Sequence, residues 1–168
     1  MEDTLFSSTV KRPLADRLRP KTLDEVVGQA HLTGENAPLK RMLSTGKISS
    51  FILWGPPGCG KTTIARLIAE HTNLYFEQIS AVFSGVADLK RVFQYAAERR
   101  ASQGKGTLLF VDEIHRFNKS QQDGFLPYVE DGTVILVGAT TENPSFELNA
   151  ALLSRCQVFV LNRLNADD

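Results

Sequence analysis

Phe51 to Trp54 (FILW) is an apolar run of four residues that ends directly against GPPGCGKT, and this junction constrains the fold more than any other stretch of the chain. Four apolar residues are too few for a buried helix, so the run reads as a strand buried on both faces. The glycines and prolines that follow end the strand and delay any helix until Lys61, after which Ile64, Leu67 and Ile68 recur at helical spacing. Strand, glycine-rich turn and helix form a βα unit. Its turn can aim backbone N–H groups inward at a helix N-terminus, where an anion is favoured. Gly55 to Thr62 also fits GxxxxGK[ST] in the setting that pattern requires. The prediction is a phosphate cradle of Gly55, Pro56, Pro57, Gly58, Cys59 and Gly60. Lys61 would reach the β- and γ-phosphates and Thr62 would ligate Mg²⁺. Thr63 either helps hold the α-phosphate or is simply a first-turn helix residue.

The same alternation continues on both sides. Leu39, Met42 and Leu43 have helical spacing before a Thr45-Gly46 stop. Further strands are expected over 74–79, 107–112, 133–138 and 157–161. Helices are expected over 86–100, with an apolar stripe of Leu89, Val92, Phe93, Ala96 and Ala97, over 120–129, interrupted or ended by Pro127, and over 149–155. Strands apolar on both faces and separated by helical segments imply an α/β fold with a mostly parallel sheet covered on both sides. Residues 1–12 read as a flexible lead-in, and 13–168 as one domain.

Composition excludes more than it selects. Lys plus Arg and Asp plus Glu are both 19, so there is no overall basic footprint and any nucleic-acid contact must be local or arise from assembly. The two cysteines stand in no CxxC pattern, and no basic-then-apolar leader opens the chain, which fits a reducing cytoplasm. No apolar run exceeds four residues, so no membrane role is expected.

Residues 108 to 122, LLFVDEIHRFNKSQQ, place two adjacent carboxylates at the end of a buried strand. Acids there need compensation, and the phosphate cradle brings it. Ligand sites in such sheets lie beyond the carboxyl ends of the strands. Asp112 would therefore face the cradle and bind Mg²⁺ through water, and Glu113 would orient or deprotonate the attacking water. At the next strand end, one of Thr140, Thr141 and Asn143 could sense the γ-phosphate, or all three could be turn residues bonding their own backbone. Arg155 in LLSRC is either a cation favoured at a helix C-terminus or a finger offered to a neighbouring subunit. Either Asn118 with Gln121 or Ser120 with Asp123 has capping-box spacing. His115 has no second His or Cys at ligand spacing and reads as a turn or capping residue. Trp54 and the phenylalanines read as core. Cys59 at a helix N-terminus could have a lowered pKa, or be only a small, tolerated residue.

The order GPPGCGKT, LLFVDE, GATT, SRC resembles the AAA+ ATPases. PLADRLRPKTLDEVVGQAHL, FVDEIHRFNKSQQDGFLPYVEDG and GATTENPSFELNAALLSRC resemble, more narrowly, the replication-associated recombination protein A (RarA/MgsA) family. This resemblance implies a P-loop sheet in the order 5-1-4-3-2. It also implies a DNA-dependent ATPase using ATP and Mg²⁺ at stalled forks, in DNA repair and recombination, in the cytoplasm with the nucleoid. Its partners would be single-stranded or forked DNA and single-stranded-DNA-binding protein, and it would act as a homo-oligomer. Leu18, Arg19, Val27 and Gly28 match the segment that packs against adenine, Thr141 the sensor-1 residue, and Arg155 the arginine finger. The family continues beyond the position of Asp168 with a helical lid and an oligomerisation region. The 168 residues by themselves are therefore expected to bind nucleotide weakly and hydrolyse little. Two other readings stay open: a nucleotide-gated binding module without productive turnover, and a branch-migration or clamp-loader-type ATPase.

Overall fold

Five parallel strands carry the structure, a computed structural model that describes residues 20, 22–26 and 28–164. They are β1 (Phe51–Trp54), β2 (Tyr75–Ser80), β3 (Thr107–Asp112), β4 (Val134–Thr140) and β5 (Gln157–Val160), ordered β2-β3-β4-β1-β5. This is the expected 5-1-4-3-2 order. The inner strands β1, β3 and β4 alternate their side chains between two covered faces, which is why their runs are mainly apolar, whereas the edge strands β2 and β5 are partly exposed and carry polar residues. Leu108 and Phe110 of β3 join Phe51, Leu53, Val137 and Phe159 in one core. Leu109 and Val111 join Ile52, Val134 and Leu136 in the other.

The helices divide between these faces. Helices α1 (Ala30–Thr33), α2 (Pro38–Thr45) and α3 (Lys61–His71) cover the first through Leu32, Leu39, Met42, Ile64, Leu67 and Ile68. Helix α4 (Val86–Gln103) covers the second through Leu89, Phe93 and Ala96, and Ala97 of the expected stripe is exposed. The single helix expected over 120–129 is two, α5 (Lys119–Asp123) and α6 (Leu126–Glu130). Pro127 does not break a helix here. It lies in the first turn of α6, where its missing N–H costs no intrahelical bond. Helix α7 (Pro144–Glu147) was not anticipated, and the helix expected over 149–155 is the four-residue α8 (Ala150–Leu153).

The capping alternatives resolve in favour of Asn118 with Gln121. The Asn118 side chain accepts from the Gln121 N–H at 2.8 Å, and the Gln121 side chain accepts from the Asn118 N–H at 2.9 Å. Asp123 instead accepts from the Asn149 amide at 2.6 Å. The phenylalanines are not all core: Phe83 and Phe146 are 87% and 85% exposed. Among the described residues no helix is long and apolar enough to cross a membrane.

Candidate nucleotide-binding and hydrolysis site

The carboxyl ends of β1, β4 and β3 meet at one cleft of about 440 Å³. β1 and β4 run in register with Trp54 opposite Thr140, and the Gly55 N–H donates to the Thr140 carbonyl at 3.0 Å. The loop that leaves β1 therefore turns directly against the end of β4. Gly58 (φ 75°) and Gly60 (φ 100°) take left-handed conformations that side chains disfavour, and Gly60 is the N-cap of α3. Gly55 is required for a different reason. A Cβ there would lie 2.8 Å from the Leu161 side chain and 3.0 Å from its carbonyl oxygen.

Pro57, Gly58, Gly60, Lys61, Thr62 and Thr63 line the cleft from the loop side, Asp112 and Glu113 from β3, and Thr140 and Thr141 from β4. The Lys61 ammonium donates to the carbonyls of Gly55 and Pro56, so it is held in the concavity of the loop. The N–H groups of the first turn of α3 have no intrahelical acceptor and can bind anion oxygens. Positive-φ glycines, a lysine and a free helix terminus around one concavity fit a polyphosphate. Thr62 and Asp112 add two hard oxygen donors. Among the described residues no group of three or more His, Cys, Asp or Glu could hold a metal ion alone. The donor set thus fits Mg²⁺ arriving with a nucleotide, since that ion usually keeps waters and phosphate oxygens beside one or two protein ligands.

Glu113 has φ 52° and ψ 46°, an unusual conformation for a residue with a side chain. It begins a 3₁₀ turn, Ile114–Arg116, in which the Arg116 N–H donates to the Glu113 carbonyl at 2.9 Å. Beyond β4, Thr140 is buried and its hydroxyl oxygen accepts from the Glu142 N–H at 3.0 Å. Asn143 caps α7 by accepting from the Ser145 N–H at 3.0 Å. Asn143 is thus committed to its cap and is not among the cleft-lining residues, the buried Thr140 hydroxyl is engaged in hydrogen bonds, and the exposed Thr141 lines the cleft beside Thr140.

Other expected residues are not at the cleft. Arg155 pairs with Glu130 at 2.5 Å and donates to the Ala151 carbonyl at 2.9 Å. It borders a second hollow with Ser49, Ser50, Val134 and Ile135, at the amino ends of β1 and β4. That end of the sheet is opposite the phosphate loop. Of the four expected adenine contacts, Leu18, Arg19 and Val27 lie outside the described residues. Gly28 has φ 77° and is not among the residues that line the cleft.

Cys59 is buried, and burial pushes its thiol pKa up against the opposing pull of Lys61. Burial outweighs the pull of Lys61, so the Cys59 thiol pKa is raised and not lowered. Its carbonyl accepts from the side-chain nitrogen of Gln29 at 3.2 Å. A glutamine beside Gly28 gives no periodic signal in the sequence, so nothing local marks Gln29. It is fully buried, and it also bonds both backbone groups of Asn162.

Comparison with known proteins agrees with this geometry. Residues 51–164 match the family described as AAA, the ATPase family associated with various cellular activities. The chain is 53% identical over 163 residues to replication-associated recombination protein A of Escherichia coli strain K12, covering 97% of this chain and 36% of that protein. It is 57% identical over 152 residues to the Haemophilus influenzae protein of the same name, covering 90% of this chain and 34% of that one. The chain thus spans about a third of the length of these relatives. Among solved structures it resembles the Thermotoga maritima RuvB Holliday junction branch migration motor, with TM-score 0.65, 33% identity, and 87% of this chain and 48% of that chain covered. In keeping with its sheet order, phosphate loop and paired acids, the chain belongs to the AAA family of ATPases and matches the AAA core of replication-associated recombination protein A.

Proposed function

We propose that this chain is the ATP-hydrolysing core of a DNA-dependent AAA+ ATPase acting in replication-fork rescue, DNA repair and recombination. The observation that carries the reading is that Asp112 and Glu113 line the same cleft as Lys61, Thr62 and Thr63. In this reading the loop amides and Lys61 bind the phosphates of ATP, Thr63 helps hold the α-phosphate, and Thr62 and Asp112 hold Mg²⁺. Mg²⁺, when bound, neutralises charge on the phosphate oxygens. Glu113 orients the attacking water or takes its proton, and Thr141 contacts the γ-phosphate. Leu18, Arg19, Val27 and Gly28 pack against adenine.

Arg155 is the finger for a neighbouring subunit of a homo-oligomer. Its distance from its own cleft supports action in trans. Single-stranded or forked DNA and single-stranded-DNA-binding protein are the proposed partners, in the cytoplasm with the nucleoid. Glu113→Gln is expected to keep ATP binding while hydrolysis falls by roughly 100-fold or more. Unchanged turnover would sink the assignment. Turnover is also expected to rise on adding single-stranded or forked DNA.

A second reading, a nucleotide-gated binding module, is favoured for the chain acting singly because Arg155 does not line its own cleft. Likeness to RuvB keeps a branch-migration role as the other alternative, and the higher identity to replication-associated recombination protein A weighs against it.

A further inference from the structure

Glu113 holds a left-handed backbone conformation, which is strained for a residue with a side chain and persists only where the surroundings hold it. Two side chains after it do so. Ile114 is fully buried against Gly138, where an added Cβ would lie 2.9 and 3.1 Å from its side-chain carbons. His115 places Nδ1 2.9 Å from the hydroxyl oxygen of Thr140. That oxygen also accepts from the Glu142 N–H at 3.0 Å and lies 3.2 Å from the Glu142 carbonyl oxygen. A hydroxyl has one proton. If it goes to the Glu142 carbonyl, the imidazole donates through Nδ1–H; if it goes to the imidazole, Nδ1 accepts. Either tautomer ties the turn after β3 to the last residue of β4. Glu113 lies two residues from His115 and Thr141 one from Thr140, and both line the cleft, whereas His115 does not.

We propose that His115 is a positioning residue for hydrolysis: through the Thr140 hydroxyl it fixes Glu113 relative to Thr141 across the cleft. This rests on the reading of Glu113 as the group that orients or deprotonates water. A small displacement of such a group costs rate and leaves phosphate binding intact, because the phosphate loop belongs to β1 and α3. Removal of the imidazole is therefore expected to lower turnover without weakening ATP binding.

The test is single-turnover hydrolysis of radiolabelled ATP with Mg²⁺ and the chain in excess, which reads slow rates, paired with equilibrium titration of a fluorescent ATP analogue. His115→Ala is expected to slow hydrolysis by about 10- to 100-fold with affinity changed by less than about twofold. His115→Asn, whose amide can stand where Nδ1 stands, should recover most of the rate, and His115→Gln should not. Combining His115→Ala with Thr140→Val should be no slower than the slower single variant, because the bond that His115→Ala removes is already absent in Thr140→Val. Wild-type hydrolysis by His115→Ala, in a preparation where Glu113→Gln is slowed, overturns the role of His115 and leaves that of Glu113 standing. If Glu113→Gln is itself not slowed, the reading beneath fails and this proposal with it. Equal rates for His115→Asn and His115→Gln also overturn it, and that comparison stands even if His115→Ala does not fold.

Discussion

The side-chain nitrogen of Gln29 donates to the carbonyl of Cys59 at 3.2 Å, which ties a fully buried residue of the segment before α1 to the phosphate loop. The same nitrogen donates to the Asn162 carbonyl at 2.8 Å, and the Gln29 oxygen accepts from the Asn162 N–H at 2.9 Å. One amide thus joins three segments distant in sequence. Gln29→Ala leaves these backbone groups without partners, and stability should fall by about 2–4 kcal/mol. Urea unfolding reads that loss. Titration with a fluorescent nucleotide should show weaker binding, since the Cys59 carbonyl is no longer anchored.

Gly138 lets the turn bearing Glu113 close over β4. An added Cβ would meet Ile52 Cδ1 at 2.8 Å and Ile114 Cδ1 at 2.9 Å. Gly138→Ala should destabilise by about 1–3 kcal/mol through overpacking and slow hydrolysis by shifting Ile114. Adding Ile114→Val removes one of the clashing methyl groups and should recover part of both losses, measured by melting temperature and single-turnover rate.

Burial pushes the Cys156 thiol up to about 11 from an ordinary 9.0. Because the folded value is the higher one, the protonated thiol's contribution to stability is complete below the ordinary 9.0 and is lost as pH rises through about 11. Cys59 shifts in the same direction, again chiefly through burial. Urea midpoints should therefore fall over this alkaline window, and less steeply in Cys156→Ala. At pH 8 iodoacetamide should alkylate Cys156 slowly in the folded chain and quickly in urea.

The Arg155–Glu130 pair is partly exposed, at 40% and 48% for the two side chains. Arg155→Ala should change stability by less than about 1 kcal/mol. Because Arg155 lies at the opposite end of the sheet, ATP affinity should stay at the wild-type value. Under the proposed role in trans, turnover should drop in Arg155→Ala at concentrations where chains associate. A matching loss of ATP affinity would place the effect in the arginine's own cleft and sink that role.

Much of the site was legible because its chemistry is local. Gly55 to Thr63 form one continuous segment, and the apolar run of β3 leads straight into Asp112 and Glu113, so spacing alone brings the acids to a strand end. The Asn118 cap was legible as one of two alternatives for the same reason. The break at Gly124 and Phe125 was misread because Pro127 looks like a helix breaker until its place in a first turn is known.

What the sequence determined by itself is therefore the alternation of strand and helix, the phosphate loop and the acidic strand end. Periodicity and short-range backbone sterics act over a few residues and leave a direct trace in order and spacing. The tertiary structure alone decided that Thr140 and Thr141 line the cleft while Asn143 caps α7, and where Arg155 faces. It alone joined His115 to Thr140 and Gln29 to Cys59 and Asn162. Those are single polar contacts across distant segments, and such a contact has no period in the chain. It exists only once the sheet has brought its two ends together.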